Sequence, residues 1–140
     1  MLAILKSIIL VVALTHGVAA TTVAEASCIS TADTLNPVAC ARALQSVKAG
    51  EYNTQSGTSV GYGCGFCQVL ITPVGNTPIL STPEEIQSAY AGIINSCRIS
   101  PGSTRPGSIT IPQLVLPNSP RGPAPVLSIS HQEVSGICPP

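Results

Sequence analysis

Charged side chains are scarce in this chain, and neither sign prevails. They make up 9% of the 140 residues, with six Lys and Arg against six Asp and Glu. A protein that follows a phosphate backbone needs a stripe of Lys and Arg, and the few cations here are scattered. Nucleic acid is therefore not expected as a partner.

Aromatic side chains are scarce too, with no Trp, one Phe and three Tyr. A carbohydrate site built on ring stacking would have to use Tyr52 or Tyr62. Tyr90 falls on the apolar stripe of a predicted helix, so we expect it in the core.

The chain offers little for catalysis. Ser-His-Asp chemistry needs a histidine beside a nucleophile and a carboxylate, yet His131 and Asp33 lie near opposite ends of the sequence. Cys64-Gly-Phe-Cys67 has the spacing of a redox dithiol, which normally begins a helix. The residues after it, Gln68 to Thr72, are β-formers, so both cysteines are interpreted as structural.

One long apolar stretch opens the chain. Lys6 is followed by an uncharged run from Ser7 to Leu14, and small residues follow at Val18–Ala20 and at Ala24–Ala26. This pattern is typical of a secretory signal peptide. We expect residues 1–20 to be the leader, with cleavage as late as residue 26, and the mature protein to be secreted and extracellular. No later stretch approaches bilayer length, so no stable membrane anchor is expected.

Six cysteines follow the leader: Cys28, Cys40, Cys64, Cys67, Cys97 and Cys138. An even number in an oxidising compartment predicts three disulfides, and fifteen pairings are possible. A closed zinc site needs four ligands at tight spacings, whereas these thiols are scattered, so neither a metal nor another cofactor is expected.

Two helices are marked by their starts. The first begins at Asn36-Pro37, a capping side chain followed by a first-turn proline, and is predicted to end at Gly50. The second runs from Thr82, which begins a capping box, to Cys97. Helical spacing of the apolar residues aims Cys40 and Cys97 at the core.

Segments rich in β-formers are predicted as strands: Thr58–Tyr62, Phe66–Thr72, Ser108–Ile111, Gln113–Leu116 and Val126–Ser130. The first two would be joined through Gly63–Gly65. In one regular strand Cys64 and Cys67 point to opposite faces unless Gly65 makes a bulge. The inward cysteine is then expected to pair with Cys40 or Cys97.

Together these elements predict an α+β fold, a two-layer sandwich in which two helices pack on one face of a mostly antiparallel sheet, stapled by disulfides. Residues 27–116 would form the cysteine-rich domain. Residues 117–140 would form a proline-rich segment tied down by Cys138.

The arrangement resembles the fungal killer-toxin-like secreted proteins and the related necrosis-inducing effectors. The similar parts are a cysteine-bearing helix (Val38–Leu44), a glycine-rich segment entering a strand (Gly61–Val69), a helix ending in cysteine (Pro83–Cys97) and a glycine before a β-run (Gly107–Ile111). The resemblance implies a disulfide-bonded helix-on-sheet sandwich and a non-enzymatic toxin or effector role. The proline-rich C-terminal segment and the low count of basic residues depart from the family pattern.

We therefore expect a secreted effector or toxin-like protein that binds a host or competitor target outside the producing cell. Its binding surface should come from loops 51–57 and 100–107, where Tyr52 and Arg105 are the side chains best suited to contact a partner.

Two alternatives stay open. One is a small secreted hydrolase or ribonuclease that uses His131 with Glu51 or Glu133. The other is a cell-wall structural or self-assembling protein, which the apolar composition permits. The sequence leaves the oligomeric state open.

Overall fold

The computed structural model describes residues 24–46, 57–112 and 122–140. The leader assigned to residues 1–20, the predicted binding residue Tyr52 and the strand predicted over Gln113–Leu116 lie outside these ranges. In the described ranges, no helix has the length and apolar character needed to cross a membrane.

The described chain contains two helices and six strands, and the last four strands follow the second helix. They are β1 (Ser27–Cys28), α1 (Pro37–Gln45), β2 (Val60–Thr72), α2 (Pro83–Cys97), β3 (Arg98–Ser100), β4 (Ser103–Thr104), β5 (Gly107–Thr110) and β6 (Val126–Gly136). The main sheet has the order β1-β5-β6-β2, and β3 pairs with β4 in a small second sheet. All of these pairings are antiparallel, so the predicted α+β fold is confirmed.

Both helices begin at the predicted caps. The Asn36 side chain accepts a hydrogen bond from the Val38 N–H at 2.8 Å. At α2, the Thr82 hydroxyl accepts from the Glu85 N–H at 3.2 Å, and the Glu85 carboxylate accepts from the Thr82 N–H at 2.8 Å. This reciprocal pair is the predicted capping box. Helix α1 ends at Gln45, short of the predicted end at Gly50.

The two helices pack on one face of the main sheet. On that face Ile109 of β5, Leu127 of β6 and Ile71 of β2 form one row of paired, buried side chains. The buried helical side chains that complete the core include Cys40, Ala43 and Leu44 of α1 and Ile86, Ala89, Ile93 and Ile94 of α2. Apolar burial between the two layers is the main stabilising term of such a sandwich.

The opposite face of the sheet is uncharged and polar. Its side chains alternate with the buried ones and are mostly hydroxyls and amides, namely Ser108, Thr110, Ser128, Ser130, Gln68 and Thr72. A slip of one residue in register would exchange the two faces, so burial of the apolar set fixes the pairing.

Strand β2 doubles back on itself at Gly65. A Cβ placed on Gly61 would lie 2.9 Å from Leu70 Cδ1 and 3.5 Å from the Val69 carbonyl oxygen. A straight strand would separate residues 61 and 69 by roughly 26 Å, so the chain must reverse between them. Gly65 has a φ of +58°, which glycine adopts without strain. The two strands predicted here are thus two halves of one extended element that lie side by side.

Cys64 and Cys67, on either side of this reversal, are both buried, with 0% and 1% of their surface exposed. The opposite-face geometry applies only to a regular strand, and the register between β2 and β6 shifts between Gly65 and Cys67.

All six cysteines are paired, as Cys28–Cys97, Cys40–Cys67 and Cys64–Cys138. The predicted pairing of the inward cysteine with Cys40 or Cys97 is met by Cys40–Cys67.

The last strand is longer than predicted. β6 begins at Val126 as expected but continues to Gly136, and it lies between β5 and β2. Leu127 and Ile129 are fully buried. Residues beyond 117 therefore contribute side chains to the same core as the residues before it.

Tyr90 connects the two helices at the edge of the core. Its hydroxyl donates a hydrogen bond of 2.6 Å to the Pro37 carbonyl oxygen, and its ring is half-buried against the core cluster. Burial raises the pKa of Tyr90 from 10.0 to about 12, because the phenolate would lose hydration.

Replacing Thr82 by Ala should lower the free energy of unfolding by about 1 kcal/mol, because the Glu85 N–H loses its acceptor. Ser88→Ala changes an exposed position of the same helix and is the matched control. Denaturant titration of both variants measures the effect. Equal stabilities of the two variants would show that the capping box does not contribute.

Alkaline pH should destabilise the fold through Tyr90. Because its pKa is raised in the folded chain, the stabilisation is complete below pH 10.0 and is lost as the pH rises through about 12. Urea unfolding between about pH 9 and pH 12 should show this loss in the parent chain and a shallower one in Tyr90→Phe. The same pH dependence in both proteins would exclude Tyr90 as its source.

Candidate functional site

A hollow of about 310 Å³ opens between the start of α1 and the reversal of β2. Three chain segments line it, contributing Thr34, Leu35, Asn36 and Ala39, then Gly65, Phe66 and Cys67, and finally His131. Ligand pockets in proteins span roughly 300 to 1,000 Å³, so this one has room for a single ring system.

One wall of the hollow is a pair of parallel rings. The Phe66 and His131 ring centroids are 5.6 Å apart, and their planes differ by 1°. Phe66 is nevertheless 55% exposed. The conformation of the reversal calls for glycine and gives no reason for an aromatic ring at position 66. An apolar ring exposed to water at such a tip is typical of a recognition surface.

The ring pair is positioned by an irregular stretch of β6. His131 pairs with Cys67 and Gly136 pairs with Gly65, so residues 132–135 of β6 lie opposite the single residue Phe66. The extra residues let β6 curl over the end of the β2 reversal, which is the usual effect of a bulge.

Gln132 fills the space created by this curl. Its Nε2 donates a hydrogen bond of 2.6 Å to the Gly65 carbonyl oxygen. A Cβ on Gly63 would lie 2.7 Å from that nitrogen, as would a Cβ on Gly136. Both glycines therefore provide the slot in which Gln132 holds the turn beside Phe66.

The walls of the hollow are tied to each other. The Cys40–Cys67 disulfide joins α1 to β2, and Cys64–Cys138 joins the other half of β2 to the C-terminal tail. Leu35 exchanges two backbone hydrogen bonds, of 2.8 and 3.0 Å, with Thr104. A ligand would thus meet a preformed site, and little ordering would have to accompany binding.

The described residues that line the hollow include no carboxylate, lysine or arginine. Its polar groups are the Thr34 hydroxyl, the Asn36 amide and the His131 ring. The Asn36 oxygen accepts from Val38 N–H, and the same amide carries N–H donors. Such a lining suits an uncharged, mainly apolar ligand with one hydrogen-bonding group. Within residues 24–46, 57–112 and 122–140, no group of three or more His, Cys, Asp or Glu residues could hold a metal ion.

The residues predicted to catalyse a reaction or to bind a partner lie in different parts of the structure. His131 lines the hollow, and Glu133 is exposed in the adjacent 132–135 stretch. Arg105 is exposed after β4, and its N–H donates to the Cys97 carbonyl oxygen at 3.0 Å. It is not among the residues lining the hollow, so its role in binding stays a prediction. Tyr52 and Glu51 lie outside the described ranges.

The pentapeptide Gly57-Thr-Ser-Val-Gly61 has the Gly-x-Ser-x-Gly spacing of a hydrolase elbow. In that elbow the serine lies on a turn from a strand into a helix. Here Ser59 is exposed and comes immediately before strand β2. The structural context of a nucleophile elbow is therefore not met.

Phe66 is the site residue that sequence reasoning missed, because its position was assigned to the start of a strand. The available signal was a lone phenylalanine beside Gly65, between two cysteines that are three positions apart. Leu35, Asn36 and Ala39 carried no such signal, since they join the site only through packing.

Gly63→Ala and Gln132→Ala should each lower the free energy of unfolding by about 1 kcal/mol, since either change removes the hydrogen bond to Gly65. In the double variant the added methyl group meets no Gln132 side chain, so its stability should equal that of Gln132→Ala alone. Denaturant unfolding of all four proteins gives the coupling energy. Additive losses would show that Gly63 matters for another reason.

Three disulfides are typical of proteins from oxidising compartments, which is consistent with an extracellular protein. No protein family model, curated protein or solved structure matches the chain.

Proposed function

We propose that this chain is a secreted, non-enzymatic effector or toxin-like protein and that the hollow beside Phe66 and His131 binds its target outside the producing cell. The observation that carries this proposal is the half-exposed ring pair at a preformed hollow with tied walls. Aromatic anchors in rigid surroundings dominate the energetics of many recognition surfaces.

Export is supported by two independent features. The first residues have the composition of a signal peptide, and every cysteine after them is paired. Cytosolic proteins rarely keep disulfides, because thioredoxin and glutathione reduce them. The resemblance to killer-toxin-like and necrosis-inducing proteins points to the same compartment and to a role against a host or competitor.

The lining of the hollow favours binding over catalysis. Acid–base chemistry at His131 would call for a carboxylate that orients the imidazole, and no carboxylate is among the described lining residues. The imidazole instead lies parallel to Phe66. This arrangement suits a flat contact surface.

Phe66→Ala should weaken binding of the labelled mature protein to target cells or cell walls by about tenfold or more, as loss of a central aromatic anchor does. Ile99→Ala removes a comparably exposed apolar side chain from β3 and is the matched control. Binding isotherms on intact cells of hosts and competing microorganisms measure the effect. Because both side chains are exposed, both variants should fold, which intact mass and circular dichroism would verify. Unchanged binding by Phe66→Ala would refute the proposed site.

Turnover assays on RNA, glycan and ester substrates distinguish the hydrolase alternative from the binding proposal. The binding proposal expects no turnover by the parent protein. Turnover that disappears in His131→Ala would replace it with the hydrolase alternative.

A further inference from the structure

Building on the export that the proposed function includes, we infer that Asn95 accepts an N-linked glycan and that its glycosylation competes with formation of the Cys28–Cys97 disulfide. Three features point to this modification. They are the tripeptide that contains Asn95, the exposure of its side chain on helix α2, and the pairing of Cys97 with a distant cysteine.

The tripeptide Asn95-Ser96-Cys97 has the spacing of a glycan acceptor. The transferring enzyme needs a residue other than proline after the asparagine and a hydrogen-bonding side chain two positions on, which is normally the hydroxyl of Ser or Thr. The Cys97 thiol can take that place as a weaker donor. No hydroxyl or thiol lies two positions after the other asparagines, which are Asn36, Asn53, Asn76 and Asn118. Asn95 is therefore the acceptor that the sequence offers.

Asn95 lies on the solvent-facing side of α2. Its side chain is exposed, as are those of Gln87 and Ala91, which lie at helical spacing on the same stripe. The buried side of the helix is formed by other residues, among them Ile93 and Ile94. A glycan on Asn95 would thus extend into solvent, and the folded chain would keep its core contacts.

A glycan at this position would leave the hollow beside Phe66 open. The described lining of the hollow comes from the segments 34–39 and 65–67 and from His131, and none of it belongs to α2. Modification and target binding therefore use separate parts of the molecule.

The transfer has to precede folding. The side-chain nitrogen of Asn95 attacks C1 of the first sugar on a lipid-linked oligosaccharide, so a C–N bond forms while the C1–O bond to the lipid diphosphate breaks. The lipid diphosphate leaves, and the nitrogen gives up one proton. The enzyme binds its acceptor segment in an extended form, whereas residues 95–97 are the last residues of α2 in the folded chain. Glycosylation is thus possible only while this segment is unfolded.

Cys97 must also keep a free thiol during the transfer, and the fold commits that thiol to Cys28. Cys28 precedes Cys97 by 69 positions, so it has already entered the oxidising compartment when Cys97 arrives. In the folded chain Cys97 is 3% exposed, and its Sγ would lie 2.9 Å from a Cβ on Gly107. The sulfur is therefore enclosed once it has paired. Transfer does not consume the thiol, so a glycosylated chain can still form the disulfide.

Mass analysis of the full chain expressed in a eukaryotic cell line that glycosylates asparagine tests the inference. A fraction of the parent protein should carry a glycan that peptide mapping places on Asn95, and Asn95→Gln should lose it. Cys28→Ser leaves Cys97 without its partner and should raise the glycosylated fraction severalfold. Cys97→Ala lacks the same disulfide together with the acceptor thiol, so it should carry no glycan.

Cys138→Ser is the matched control for a missing disulfide, since it leaves Cys28 and Cys97 able to pair, and it should keep the glycosylated fraction of the parent. Because transfer precedes folding, cell-associated chains are analysed with the secreted ones, so variants that fail to fold still give a result. A parent protein without glycan, an unchanged fraction in Cys28→Ser, or a glycan retained by Cys97→Ala would each overturn the inference.

The two proposals fail in different ways. If the chain is secreted without its leader but Asn95 carries no glycan, only the modification is wrong. If Asn95 is glycosylated but Phe66→Ala keeps full cell binding, the proposed target site is wrong. Asn95→Gln should keep full cell binding, since the hollow is separate from α2.

Discussion

A fully buried disulfide, Cys40–Cys67, holds helix α1 against the reversal of β2. A cross-link of this kind contributes about 2–4 kcal/mol by restricting the unfolded chain. It also sets a distance that packing alone would leave adjustable, because the Cα atoms of the two cysteines are 5.2 Å apart. The start of α1, the reversal at Gly65 and the end of β6 are arranged around this link. The hollow is the space that remains between them.

The site combines rigidity with an exposed ring. The Cys40–Cys67 disulfide joins two of its walls, the Cys64–Cys138 disulfide ties the β2 reversal to the C-terminal tail, and Gln132 donates a hydrogen bond to Gly65. Phe66 is therefore presented on a fixed support although it lies in a turn. A fixed support lowers the entropy lost on binding. Because the chain has so few aromatic and charged side chains, the Phe66 and His131 rings at this site are the main groups with which it could recognise a target. The sheet face opposite the helices, with its neutral hydroxyls and amides, offers no comparable anchor among its described residues.

Signals that depend on near neighbours were predicted well. The Asn36-Pro37 and Thr82 helix starts formed as expected, because a cap is satisfied within three residues of chain. The burial of Cys40 and Cys97 followed from helical periodicity. The reversal of β2 was predicted only as a join between two strands, since glycines indicate a turn without fixing which cysteine faces inward. Phe66 was missed for the same reason.

Residue order alone was enough to predict the class of the protein: an α+β domain with two capped helices, half-cystines rather than reactive thiols, and few candidate catalytic side chains. These follow from local spacing and composition. Which cysteines pair, how far β6 extends, and that Phe66 and His131, 65 positions apart, lie side by side became clear only from the folded chain. Contacts across such separations depend on strand register and on the bulge at residues 132–135, and neither leaves a readable pattern in the order of the residues.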